Sequence, residues 1–168
     1  MKYYFFLLLI IINLSAAKSQ EKKGEVTTYY LIRHAEKDRT NNLNKDPNLT
    51  EKGRKRAKKW SVVFKNIPFD LIYSTNYNRT KQTAKPTANC KNLEIQYYNP
   101  KNLYNEKFKL KTTGKTVLVV GHSNTTPQFV NKIIEEEKYA NIDDSNNSNL
   151  YIVTIINGQK TTILLKIE

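Results

Sequence analysis

The sequence predicts an α/β fold on a largely parallel sheet, and three observations carry that prediction. Strand-like apolar runs alternate with helical patterns from Thr27 to about Lys138, as they do when helices cross over between parallel strands. The run Thr116–Val120 is apolar almost throughout, the mark of a strand buried on both faces. The two histidines each close such a run, Tyr29-Tyr30-Leu31-Ile32-Arg33-His34 and Val117-Leu118-Val119-Val120-Gly121-His122, which puts both imidazoles on the strand-end rim where open α/β sheets bind ligands.

The elements follow in order. Lys2, the apolar stretch Tyr3–Leu14 and the small residues Ser15-Ala16-Ala17 read as a secretory signal over residues 1–19, cleaved after Ala17 or Ser19. The stretch is short of the roughly 20 apolar residues a spanning helix needs, so no stable membrane insertion is expected once it is removed. Residues 20–168 form one domain. After the first strand, Thr50 is placed to cap a helix that carries Ala57, Trp60 and Phe64 on one face and Lys52, Arg54, Lys55, Arg56, Lys58 and Lys59 on the other. Asp70–Ser74 reads as the second strand, Tyr77–Asn89 as a helix interrupted near Pro86, and Leu93–Tyr98 as the third strand. A short helix is predicted around Leu103–Leu110. Beyond the Thr116–Val120 strand, Pro127 suits the first turn of a helix capped by Thr126. The polar loop Asn141–Asn149 leads into a C-terminal hairpin, Tyr151–Ile156 and Thr161–Ile167, turning at Asn157-Gly158.

Composition narrows the partners. The chain has 28 Lys and Arg against 15 Asp and Glu; without Lys2 and Lys18 the balance is 26 against 15, a net charge of +11. Such a surface attracts anions, yet no nucleic-acid motif accompanies the charge. The single Cys90 can form no internal disulfide and is expected to be a small, half-buried helix residue. Asn-x-Ser/Thr sites stand at Asn48, Asn78, Asn124 and Asn146. Glycans at Asn78 or Asn124 would block the predicted rim, which favours a bacterial envelope protein, secreted to the periplasm, over a eukaryotic secreted one.

Four segments carry a family resemblance. Leu31-Ile32-Arg33-His34-Ala35-Glu36-Lys37, Leu49-Thr50-Glu51-Lys52-Gly53, Tyr73-Ser74-Thr75 with Arg79-Thr80-Lys81-Gln82-Thr83-Ala84, and Gly121-His122-Ser123 resemble, in order and spacing, the histidine phosphatase superfamily, also called phosphoglycerate mutase-like. The resemblance covers roughly residues 27 to 130. It implies a three-layer α/β/α sandwich in which His34 becomes phosphohistidine, Arg33 and Arg79 clamp the phosphoryl group, and His122 is the second imidazole. Ser123 and Asn124 would line the phosphate pocket, although Asn124 reads equally as a loop-turn residue. No cofactor or metal is implied.

The chemistry of the residues agrees with those roles. Phosphoryl transfer needs an in-line nucleophile and dense positive charge around three oxygens. Guanidinium forks grip oxyanions in bidentate fashion and stay charged. A nucleophilic imidazole must be neutral on the attacking nitrogen, so its other nitrogen should donate to a fixed acceptor, commonly a backbone carbonyl. The carboxylic acid that often protonates the leaving oxygen in this family has no clear counterpart. Glu106 is the first candidate and Glu36 the second, though a surface salt bridge explains either more simply. Without an acid, good leaving groups such as acyl phosphates, aryl phosphates or phosphohistidine would be favoured. Cys90 has Gln96 where a tyrosine-phosphatase loop needs arginine, there is no Asp-x-Asp motif, and two histidines with one cysteine cannot build an ordinary zinc site.

The reading is a phosphatase hydrolysing phosphomonoesters or related phosphoryl compounds through phosphohistidine, its partner an anionic phosphorylated substrate. The alternative is a catalytically weak phosphate- or glycan-phosphate-binding protein on the same fold. A phosphoglycerate mutase fits less well, because export would remove it from glycolysis.

Overall fold

In the computed structural model, which describes residues 25–168, ten elements alternate as the sequence predicts. They are β1 (Val26–Arg33), α1 (Glu51–Val63), β2 (Leu71–Ser74), α2 (Asn78–Lys91), β3 (Ile95–Tyr97), α3 (Glu106–Thr112), β4 (Thr116–Gly121), α4 (Thr125–Ile134), β5 (Asn149–Ile156) and β6 (Gln159–Lys166). One six-stranded sheet has the order β3-β2-β4-β1-β5-β6. Its first four strands are parallel, while β5 and β6 join antiparallel as the C-terminal hairpin. The proposed signal, residues 1–19, lies outside the described residues.

Strand alternation divides the core into two layers. Tyr29, Leu31, Val117 and Val119 pack with Phe108 of α3 and Phe129 and Ile133 of α4. Their neighbours Ile32, Leu118 and Val120 point the other way, onto Trp60 and Phe64 at α1 and Ala84 and Ala88 of α2. Because both faces are covered, β4 is apolar without a break, and the domain is a three-layer α/β/α sandwich.

The local signals explain most boundaries. Thr50 caps α1, its side chain accepting from the Gly53 N–H, and Ala57 and Trp60 bury the predicted face. The hairpin turns through Asn157 (φ 51°) and Gly158 (φ 82°), the two left-handed positions of a two-residue type I′ turn.

Several expectations need correction. Helix α2 runs through Pro86 without interruption; the ring sits on its half-exposed side and buried Thr83, Ala84, Thr87 and Ala88 hold the helix against the sheet, so packing outweighs one lost backbone bond. The short helix begins at Glu106 rather than Leu103, because Asn105 caps it by accepting from the Phe108 N–H. Thr126 is not the cap of α4: Asn124 holds that position, and the Thr126 hydroxyl donates to the Ile32 carbonyl. Cys90 is exposed, not half-buried, lying in the last turn of α2 on the groove between α1 and α2.

Candidate active site

Three strand ends meet at one rim. In the parallel β1–β4 pair, Arg33 stands opposite Gly121, so His34 and His122 emerge side by side. The His34 N–H donates to the Gly121 carbonyl at 2.9 Å, and the two rings lie with centroids 5.5 Å apart, edge to face. Gly121 is required by packing: a Cβ there would come within 2.8 Å of the Thr126 and Tyr98 oxygens. Just past β2, Thr75 places its hydroxyl 3.0 Å from His122 Nε2. Since that hydroxyl donates to Thr80, it accepts from His122, which assigns the Nε2–H tautomer. The first turn of α2 brings in Arg79.

His34 has the arrangement a nucleophilic imidazole needs. Its Nδ1 lies 2.7 Å from the Ala35 carbonyl; a carbonyl only accepts, so Nδ1 carries the proton and Nε2 keeps its lone pair. The backbone on either side is fixed, the His34 carbonyl accepting from Asn147 Nδ2 and the Ala35 N–H donating to Thr83 Oγ1. Burial, the main cause, lowers the His34 pKa to about 3, with Arg33, His122 and Arg79 pushing the same way and the Ala35 hydrogen bond opposing. Burial, then Arg79, Arg33 and Lys37, lowers that of His122 to about 4. Both rings are therefore neutral at physiological pH.

The arginines are held but not saturated. Arg33 Nη1 donates to the carbonyls of Asp143, Asp144 and Asn146, and Nη2 donates to Asp144 Oδ1 at 2.5 Å. Its Nε is buried without a partner. Arg79 stacks over the Tyr77 ring at 4.5 Å and lies 3.6 Å from Asp46 Oδ1, yet its Nε and Nη1 are also buried and unbonded. Unsatisfied buried donors are costly. Two guanidinium groups that keep such donors next to a free imidazole lone pair form a receptor for an oxyanion. On the Arg33 side of His34 a cavity of about 190 Å³ opens, lined by Arg33, His34, Lys37, Arg39, Asp144 and Asn147 among others, with Arg79 and His122 outside its lining.

The remaining candidates fare differently. Glu36 borders the cavity, but its carboxylate takes both oxygens to Arg56 Nε, at 2.9 and 3.1 Å. Its backbone carbonyl accepts from the Thr50 N–H, and a side chain at Gly53 would collide with that carbonyl, which accounts for the Leu49-Thr50-Glu51-Lys52-Gly53 segment. Glu106 is exposed at the start of α3, where its charge acts on Tyr104. It does not line the histidine cavity. Ser123 is half-buried and gives its carbonyl to the Ile142 N–H, and Asn124 is exposed at the α4 cap; neither side chain bonds to the histidines or arginines. Sequence reasoning missed Lys37, Asp46, Asn147 and Asp144. Lys37 had a signal, three residues after His34, but the other three sit in loops whose approach to the rim no local pattern announces. Among the described residues no group of three or more His, Cys, Asp or Glu is arranged to hold a metal ion.

Comparison with known proteins agrees with this architecture. By solved structures the fold is phosphoglycerate mutase-like: a phosphoglycerate mutase from Bacillus anthracis matches with TM-score 0.63 at 16% identity, over 85% of this chain and 94% of that one. A protein histidine phosphatase SixA complexed with tungstate matches with TM-score 0.66 at 16% identity, over 83% and 96%. The family recognised in the motifs is also the one that sequence comparison returns, since residues 29–99 match the histidine phosphatase superfamily (branch 1). Phosphoserine phosphatase 1 of Hydrogenobacter thermophilus is 39% identical over 70 residues, which are 39% of this chain and 33% of that protein. This chain thus aligns with about a third of that relative's length.

Proposed function

We propose that this chain is a phosphatase that hydrolyses phosphomonoesters or related phosphoryl compounds through a phosphohistidine at His34. The observation that carries the reading is the His34 Nδ1 bond to the Ala35 carbonyl, which leaves Nε2 free beside the unbonded N–H groups of Arg33 and Arg79. In this reading the phosphoryl oxygens take up those donors. His34 Nε2 attacks phosphorus in line, and Arg33 with Arg79 stabilises the charge that develops on the equatorial oxygens, while His122, its Nε2–H held by Thr75 Oγ1, packs its ring against that of His34. Water then hydrolyses the phosphohistidine. The similarity to a phosphoserine phosphatase and to a protein histidine phosphatase supports phosphoryl chemistry of this kind. A panel of phosphate compounds incubated with the purified chain, with phosphate release as readout, tests the proposal. Turnover that is lost in His34→Ala is the expected result, and a folded chain that releases no phosphate from any compound would favour the phosphate-binding alternative.

Export is part of the same proposal and rests on the segment Lys2–Ala17. No helix among the described residues is long and apolar enough to cross a membrane. Cell fractionation with N-terminal sequencing should find a periplasmic chain beginning near Lys18 or Gln20; an intact Met1 in the cytoplasm would contradict it.

A further inference from the structure

We propose that the Lys37 ammonium, rather than a carboxylic acid, donates the proton to the leaving oxygen; this rests on the phosphatase reading with His34 as nucleophile. The two carboxylates that line the cavity, Glu36 and Asp144, and Asp46 beside Arg79 are all committed as acceptors. Glu36 is paired with Arg56, Asp144 bridges Arg33 at 2.5 Å and Arg39 at 2.6 Å, and Asp46 accepts the Asn78 N–H while facing Arg79. Lys37 differs from all of them. It lines the same cavity as His34 and Arg33, and its ammonium makes no ion pair or side-chain hydrogen bond among the described residues. Its backbone is pinned by a bridge to Leu49, which fixes where the side chain starts relative to His34. Its positive charge is among those that lower the His122 pKa.

The surroundings suit an acid. Partial burial, then the positive charges of Arg39, Arg79 and Arg33, lower the Lys37 pKa below the ordinary lysine value, opposed by Asp144. A lysine so placed gives up its proton more readily than one in water. In the first step the His34 Nε2–P bond forms as the ester P–O bond breaks. A Lys37 proton passes to the departing oxygen, leaving a neutral alcohol and a neutral amine. In the second step water attacks phosphorus, its proton returns to the amine, and the P–N bond breaks with its electron pair going back to Nε2. Ester substrates with poor leaving groups thereby come within range.

The test is leaving-group dependence. Rates for a series from 4-nitrophenyl phosphate through phenyl phosphate to simple alkyl phosphates would be measured for the parent chain, Lys37→Met and Lys37→Arg. Lys37→Met should lose about 10-fold on the nitrophenyl ester and about 10³-fold on the alkyl esters, within the usual range for a proton donor. Lys37→Arg keeps the charge without a transferable proton, so it should recover the first rate and not the second. The parent's alkyl-ester rate should also fall at alkaline pH as Lys37 deprotonates, among facing groups Arg33, Arg39, Arg79 and Asp144, and Lys37→Met should lack that limb. A uniform loss across the series, full rescue by arginine, or a parent already as steep as Lys37→Met would overturn the assignment. Failure of the phosphatase reading looks different: the parent would then not hydrolyse even the nitrophenyl ester.

Discussion

At the scale of the residue, burial sets the chemistry. His34 and His122 are held neutral because the imidazolium form would lose its hydration among buried neighbours and face two guanidinium groups. They are the only histidines in the chain, so their ring resonances can be followed by NMR without ambiguity. Both should stay neutral down to about pH 5, where an ordinary imidazole titrating near 6.5 would be charged; a His34 midpoint near 6.5 would contradict the structure. The same depression fixes the sign of the stability effect. The unfolded chain takes up protons below about pH 6.5 that the folded chain refuses. The contribution is therefore complete above that pH and is lost as pH falls toward the folded values of about 3 and about 4. Arg79 supplies the second residue-scale prediction. Its buried Nε and Nη1 have no partner, so Arg79→Ala should cost on the order of 10²- to 10³-fold in turnover. Arg79→Lys should also be impaired, since a point charge cannot reproduce the fork. Near-normal rates in both would place Arg79 outside the reaction.

At the scale of the element, what holds the site is where backbones touch. The N-terminus of α1 packs so closely on the Glu36 carbonyl that Gly53 admits no side chain, and the segment it presses is the one that carries His34 and Lys37. Gly53→Ala should therefore cost about 1–3 kcal/mol, the usual price of forced overpacking, seen as a lower urea midpoint. An unchanged midpoint would show that α1 can draw back freely. Elements were legible in the sequence where local chemistry and tertiary packing agree. The Thr50 cap, the apolar Thr116–Val120 run and the Asn157-Gly158 turn all formed as their residues predict. Where the two disagree, packing prevailed: α2 passes through Pro86, and Thr126 serves β1 through the Ile32 carbonyl rather than capping α4.

At the scale of the whole molecule, one topology delivers both histidines. Placing β4 between β1 and β2 sets the ends of three parallel strands side by side, and a polar loop before β5 supplies the cover: its carbonyls hold Arg33 and its Asn147 holds the His34 backbone. The four motif residues were legible in the sequence because each follows a strand-like run or opens a helix. Asp46, Asp144 and Asn147 were not, because their positions depend on loops closing over a finished sheet. Glu106 is not among the residues that line the His34 cavity: α3 begins beside Tyr104 instead.

The central claim is that His34 Nε2 is the nucleophile. Rapid quenching of the chain during turnover of a phosphate ester labelled in its phosphoryl group measures this directly. The account predicts an acid-labile, base-stable phosphoryl group on His34, absent from a folded but inactive His34→Ala variant. Turnover that persists in His34→Ala, or label that resides on another residue, would contradict it.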